Sequence, residues 1–133
     1  MTVIDTVEEL QIETINSEKK QFIYCKKCGL YITRSEFALS VEGHHEHIQC
    51  NPNGFTFVFK CFSKAPGCLL LGKPTTENTW FSGYAWKLSL CQSCGEHLGW
   101  YFTSVPLVGS HHQNEDKFFG LISDKLSYKT KTE

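Results

Sequence analysis

From Gln21 onward, apolar side chains return at every second position in short runs, the period of a half-buried β-strand. Phe55, Phe57 and Phe59 share one face of the run from Phe55 to Phe62. Tyr84, Trp86, Leu88 and Leu90 do the same in the next long run, and Leu98, Trp100 and Phe102 repeat the pattern. Phe22-Ile23-Tyr24, Tyr31-Ile32-Thr33, Leu69-Leu70-Leu71 and Phe118 to Ile122 are shorter β-like runs. Between them stand chain breakers. Pro66-Gly67 marks a turn, Gly72 to Thr79 reads as a loop broken by Pro74, and Val105 to Asp116 reads as a polar loop. His44 to Gly54 is a further polar loop that holds the turn signature Asn51-Pro52-Asn53-Gly54, in which proline fixes φ and glycine permits a positive φ. Many short strands separated in this way predict an all-β domain.

The two ends differ in texture. Residues 1–20 are acidic and polar, and their scattered apolar residues fit neither period; Thr6 and Glu9 could frame one helix through a capping box. This segment is read as an N-terminal extension, residues 21–127 as the domain and 128–133 as a polar tail. The 133 residues suit one domain with a modest core, and 41% hydrophobic against 20% charged residues marks a globular chain. A net charge of −1 gives no electrostatic reason to expect a nucleic-acid backbone as partner. No apolar run approaches the ~20 residues that span a bilayer, and Met1 to Lys20 lacks the layout of a secretory signal. The expected setting is intracellular, in the cytoplasm, with no membrane partner.

Cysteine spacing carries the clearest chemistry. Cys25-Lys26-Lys27-Cys28-Gly29 and Cys91-Gln92-Ser93-Cys94-Gly95 are two C-x-x-C knuckles, and together they offer the four thiolates of a closed tetrahedral zinc site. The glycine after each pair suits a tight turn that aims backbone N–H groups at sulfur. Four thiolates around Zn²⁺ leave a local charge of −2, which Lys26 and Lys27 are placed to offset. Sixty-two residues lie between Cys28 and Cys91, so the ion is expected to clip two hairpins of a larger β-structure. A redox C-x-x-C would need a βαβ context, which this pattern lacks. Of the seven cysteines, Cys61 lies in an apolar strand and reads as buried and inert; Cys50 and Cys68 receive no role.

The histidines His44, His45 and His47, with His111 and His112, sit in polar stretches and read better as loop residues than as ligands. Trp80, Trp86 and Trp100 flank the second knuckle. Core packing is the ordinary role of so large a hydrophobe, while three rings converging beside a Pro/Gly loop could form an aromatic box. Spacing alone leaves both readings open.

Longer motifs point further. The run Thr76-Glu-Asn-Thr-Trp80-Phe-Ser-Gly-Tyr-Ala-Trp86, then Cys91-x-x-Cys94-x-x-His97-Leu-Gly-Trp100-Tyr-Phe102, then Phe118-Phe-Gly-Leu-Ile122, resembles the thalidomide-binding (CULT) domain of the cereblon family over about residues 21–127. The resemblance implies a β-tent, two antiparallel sheets at a steep angle pinned by one structural zinc on Cys25, Cys28, Cys91 and Cys94. It implies that Trp80, Trp86 and Trp100 wall a cage with Phe102 behind them, Phe57 near the mouth, and Asn51 and Pro52 against the outer part of the ligand. The implied ligands are cyclic imides such as glutarimide and succinimide, thalidomide-type molecules, protein C-termini closed into cyclic imides, or uridine-like metabolites. The Asn78 carbonyl would accept the imide N–H, and the Trp80 N–H would donate to an imide oxygen. Asn78 stands where vertebrate members carry His and a bacterial member carries Phe. The Lon-like and helical domains of cereblon have no counterpart in these residues, so no ubiquitin-ligase adaptor domain is expected in this chain, which looks like a single-domain member.

Two alternatives share a related fold. A methionine sulfoxide reductase of the B type needs a nucleophilic cysteine in a late strand, and no cysteine follows Cys94. A hydrolase centred on His97 lacks a nucleophile partner. An RNA-end binder needs a basic cleft, against which the mild charge speaks. The reading is therefore a binding module and not an enzyme.

Overall fold

The computed structural model describes residues 20–106 and 115–130. The Thr6–Glu9 capping box and His111-His112 lie outside the described residues. Among the described residues nine strands account for nearly all the regular structure: β1 (Gln21–Cys25), β2 (Tyr31–Arg34), β3 (Glu46–Cys50), β4 (Thr56–Phe62), β5 (Cys68–Thr75), β6 (Tyr84–Cys91), β7 (His97–Ser104), β8 (Lys117–Ile122) and β9 (Leu126–Thr130). Single 3₁₀ turns at Ser35–Phe37 and Ser123–Lys125 are the only helical pieces among the described residues. No helix among them is long and apolar enough to cross a membrane.

Two sheets form, one in the order β2-β1-β9 and one in the order β3-β4-β8-β7-β6-β5, with every pairing antiparallel. The period-2 pattern gives the larger sheet two apolar faces. On one face Phe62, Leu98 and Leu121 pack against Ile23, Ile32 and Leu126 of the small sheet. The other face carries Phe59, Trp100, Phe102 and Phe118, covered by Val41 and Phe81 from the connecting segments. Close approach between strands needs Gly120. A Cβ there would lie 2.8 Å from Phe59 Cδ2 and 3.2 Å from Phe102 Cε2, directly opposite Trp100 in the ladder.

Several local expectations are corrected. The polar stretch His44–Gly54 contains β3, whose inward residues His47 and Gln49 are polar and so gave no hydrophobic alternation. His47 is half-buried and stacks on its cross-strand partner Phe59, centroids 5.6 Å apart. Its place in an aromatic cluster, with Phe81 edge-on at 5.2 Å, replaces the loop reading. Strand β5 continues to Thr75, through residues read as loop. Phe55 precedes β4 and is 65% exposed, so it does not share the buried face of Phe57 and Phe59. Leu98 does not share a face with Trp100 and Phe102: the register shifts between Ser89 and Leu90, which sends Leu98 into the core under the small sheet. Strand β9 pairs with β1 as far as Thr130, into the stretch whose composition marks a tail.

Candidate functional site

The two knuckles are built alike. In the first, the Gly29 N–H donates to Cys25 O at 2.8 Å and the Cys25 N–H to Leu30 O at 2.8 Å. In the second, the Gly95 N–H donates to Cys91 O at 2.9 Å and the Cys91 N–H to Glu96 O at 2.8 Å. Gly29 and Gly95 both have positive φ, 83° and 78°, which the turn demands and a side chain resists. One knuckle joins β1 to β2 in the small sheet, and the other joins β6 to β7 in the large one. The cysteine cluster therefore ties the sheets together.

The four sulfurs lie within 4.8 Å of one another, with Cys25 to Cys94 at 3.7 Å and Cys28 to Cys91 at 3.5 Å. A tetrahedron with Zn–S bonds of about 2.3 Å has edges near ~3.8 Å, so the separations fit one ion. They are far from the ~2.05 Å of a disulfide. The backbone N–H of Leu30 holds the exposed Cys28 thiol down at about 7. Burial pushes Cys25 up to about 12. A thiol held as Cys25 is does not ionise unaided near neutral pH, whereas a divalent cation replaces its proton. Beside the cluster Glu96 ties the elements together, 3.0 Å from Lys125 Nζ and 3.9 Å from Lys27 Nζ.

On the far face of the large sheet lies a cleft of about 470 Å³. All eight residues expected at a ligand site line it: Asn51, Pro52, Phe57, Asn78, Trp80, Trp86, Trp100 and Phe102. Three more complete the wall, Asn53, Leu88 and His97. Register places several of them. Trp86 pairs with Phe102 and Leu88 with Trp100, so strands β6 and β7 present one continuous apolar surface. Trp80 arrives from the β5–β6 connection and meets Trp100 edge-on, centroids 4.7 Å apart, while stacking on Phe59 at 5.5 Å. Phe57 stands edge-on to Trp100 at 5.1 Å.

The polar edges of two indoles are tied back. Trp80 Nε1–H donates to Cys50 O at 3.2 Å, and Trp86 Nε1–H donates to Glu77 O at 2.8 Å. Both rings line the cleft. The β3–β4 turn is held by Asn51, whose Oδ1 accepts from the Asn53 and Phe55 N–H groups at 3.0 and 2.9 Å. Asn78 has φ = 56°, a left-handed conformation that asparagine tolerates better than most residues. This bends the chain just before Trp80. Among the described residues, neither the Asn78 carbonyl nor the Trp80 backbone N–H has a hydrogen-bond partner.

Sequence reasoning named His97 but not as part of this wall. Its Nε2 lies 2.9 Å from Gly99 O and its ring is edge-on to Trp100 at 5.2 Å. Burial lowers its pKa below the usual imidazole range, so it is neutral near pH 7. Leu88 could have been found from its place on the Trp86 face of β6.

No protein-family model matches the chain. Among curated proteins it is 34% identical over 125 residues to Protein cereblon of Xenopus tropicalis, which covers 92% of this chain and 27% of that protein. Protein cereblon of Gallus gallus is 33% identical over 123 residues, covering 90% and 26% respectively. Protein cereblon of Drosophila melanogaster is 32% identical over 125 residues, covering 88% and 20%. The chain thus spans between a fifth and about a quarter of the length of these relatives.

Proposed function

We propose, from the premise that this chain carries a cereblon-like domain, that it is a binding module that captures compact cyclic imides in the cleft walled by Trp80, Trp86 and Trp100. One observation carries the reading. Asn78 and Trp80 line an apolar, ring-lined cleft, and among the described residues the Asn78 carbonyl and the Trp80 backbone N–H on that turn have no hydrogen-bond partner. A cyclic imide offers the complement, an N–H beside a carbonyl on one edge and CH₂ groups on the other. Aromatic walls reward the CH₂ faces, and two backbone hydrogen bonds satisfy the polar edge as it leaves water. Asn51, Pro52 and Phe57 then contact whatever the ring is attached to, whether a drug-like substituent or a protein C-terminus closed into an imide. The same wall admits a uridine-like ring, which carries an equivalent imide edge.

The cysteine cluster holds one structural Zn²⁺ on Cys25, Cys28, Cys91 and Cys94, which fixes β6 against β7 and so holds the cage in register. Its chemistry is closed, with all four ligands from protein, so it serves architecture. Neither a cysteine nor a lysine or arginine lines the cleft among the described residues. A reductase mechanism has no nucleophile there, and an RNA phosphate has no cation. The role proposed for the cleft is therefore binding.

Calorimetric titration of glutarimide, N-methylglutarimide and the ring-opened acid tests the mechanism. The imide is expected to bind. N-methylation removes the donor and adds bulk, and the acid brings an unpaired charge against indole faces, so both should weaken binding by at least tenfold, about 1.4 kcal/mol. Equal affinity for all three would mean that the cleft reads apolar surface alone.

A further inference from the structure

Cys68 begins β5 directly opposite Cys91, the last residue of β6. Their hydrogen bonds identify the kind of pair. The Cys68 N–H goes to Ala65 O and the Cys91 N–H to Glu96 O, so neither bonds across to the other. The bracketing bond, Gln92 N–H to Gly67 O at 2.9 Å, holds the ladder one step away. In such a non-hydrogen-bonded pair the Cα atoms stand about 4.5 Å apart with both side chains on one face. That lies at the near end of the ~4.4–6.8 Å that a disulfide bridges. Cys68 packs, partly buried, against the core cluster that contains Cys91. Cys28 is exposed and its sulfur is 3.5 Å from that of Cys91.

We propose that Cys68 is a resolving thiol for the metal centre, and that oxidation of the cysteine cluster ends in a Cys68–Cys91 cross-strand disulfide that expels the ion. The proposal rests on the zinc reading given above. A peroxide reaches the exposed Cys28 first. The Cys28 thiolate takes one peroxide oxygen, the O–O bond breaks, and with one proton taken up Cys28 becomes a sulfenic acid and a water leaves. Cys91 thiolate attacks the Cys28 sulfur, the S–O bond breaks, and the departing hydroxide takes a proton to leave as the second water. Cys68 then gives up its proton and attacks the Cys91 sulfur as a thiolate, the Cys28–Cys91 bond breaks, and the departing Cys28 thiolate takes a proton up. Two electrons pass from two thiols to one peroxide. Exchange favours Cys68 because the β5–β6 ladder holds it opposite Cys91, whereas Cys28 sits on a solvent-facing turn.

The test uses the full zinc-loaded chain and one equivalent of hydrogen peroxide, with released zinc followed by a chromogenic chelator. Remaining thiols are alkylated and the unreduced protein is mapped by peptide mass spectrometry. Wild type is expected to release its zinc, to yield a peptide linked through Cys68 and Cys91, and to recover its metal after dithiothreitol and added zinc. Cys68→Ala is expected to stop at a Cys28–Cys91 link. Cys61→Ala, which alters a buried cysteine outside the cluster, is expected to map as wild type. Cys68 recovered as an alkylated free thiol from oxidised wild type would overturn the proposal, and this result needs no variant to fold. A chain that holds no zinc when isolated would refute the metal reading separately. The same mapping would still judge the cysteine pairing.

Discussion

Trp86 and Trp100 both wall the cleft, yet their truncation should have different consequences. Trp100 is 7% exposed and sits among Trp80, Phe57, His97 and Phe59 with ring centroids at 4.7, 5.1, 5.2 and 5.7 Å. Trp100→Ala leaves a cavity in the second core and should cost about 3–5 kcal/mol of stability. Trp86 is only half-buried, and its indole is anchored by one hydrogen bond, to Glu77 O at 2.8 Å. That bond contributes about 0.5–1.5 kcal/mol. Roughly half the cost of a core ring is about 1.5–2.5 kcal/mol with that bond included, so Trp86→Ala should cost about 2 kcal/mol, within the reach of an ordinary domain's stability. Its effect on binding should be larger in proportion. Losing one wall of a desolvated cage is a hot-spot loss of about 2 kcal/mol or more, or roughly 30-fold in affinity. Urea denaturation at equal slope gives the stability terms, and tryptophan-fluorescence titration with glutarimide gives affinity. A Trp86→Ala protein as destabilised as Trp100→Ala would show that Trp86 is core. A folded Trp86→Ala protein that binds imide with unchanged affinity would remove the cage from the account.

Further outcomes follow from the same geometry. Metal analysis should find one zinc per chain, and Cys91→Ser should abolish it and cost on the order of several kcal/mol; unchanged melting would count against a structural ion. His97 has a pKa lowered by burial, so its neutral form favours the fold above its ordinary value of ~6.5 and that stability is lost as pH falls through the lowered value. His97→Gln should therefore lose less stability than wild type between pH 7 and pH 5, and parallel losses would show that His97 does not govern this step. Gly120→Ala should destabilise by about 1–3 kcal/mol and weaken imide binding, because the methyl meets Phe59 and Phe102 behind the Trp100 wall; neutral behaviour in both assays would mean that these rings yield freely.

Part of this protein is written locally and part is not. The four-cysteine cluster was legible because a C-x-x-C-G knuckle is a closed unit: four cysteine positions and two turn glycines follow from ten residues, and the turns form with the same hydrogen bonds in both knuckles. Strands β4 and β6 were legible because one side of each is apolar. Strand β3 was not, since its inward residues His47 and Gln49 find their partners only across the sheet, where Phe59 gives His47 an aromatic surface. Leu98 carries the same alternation as Trp100 and Phe102, but a shift of register sends it to the opposite core. Whether three tryptophans fill a core or wall a cleft likewise could not be settled by their spacing. Pairing β6 with β7 aligns Trp86 with Phe102 and Leu88 with Trp100, and the left-handed turn at Asn78 delivers Trp80 to the same place. Periodicity within a strand tells which side chains share a face; only long-range pairing decides what that face meets.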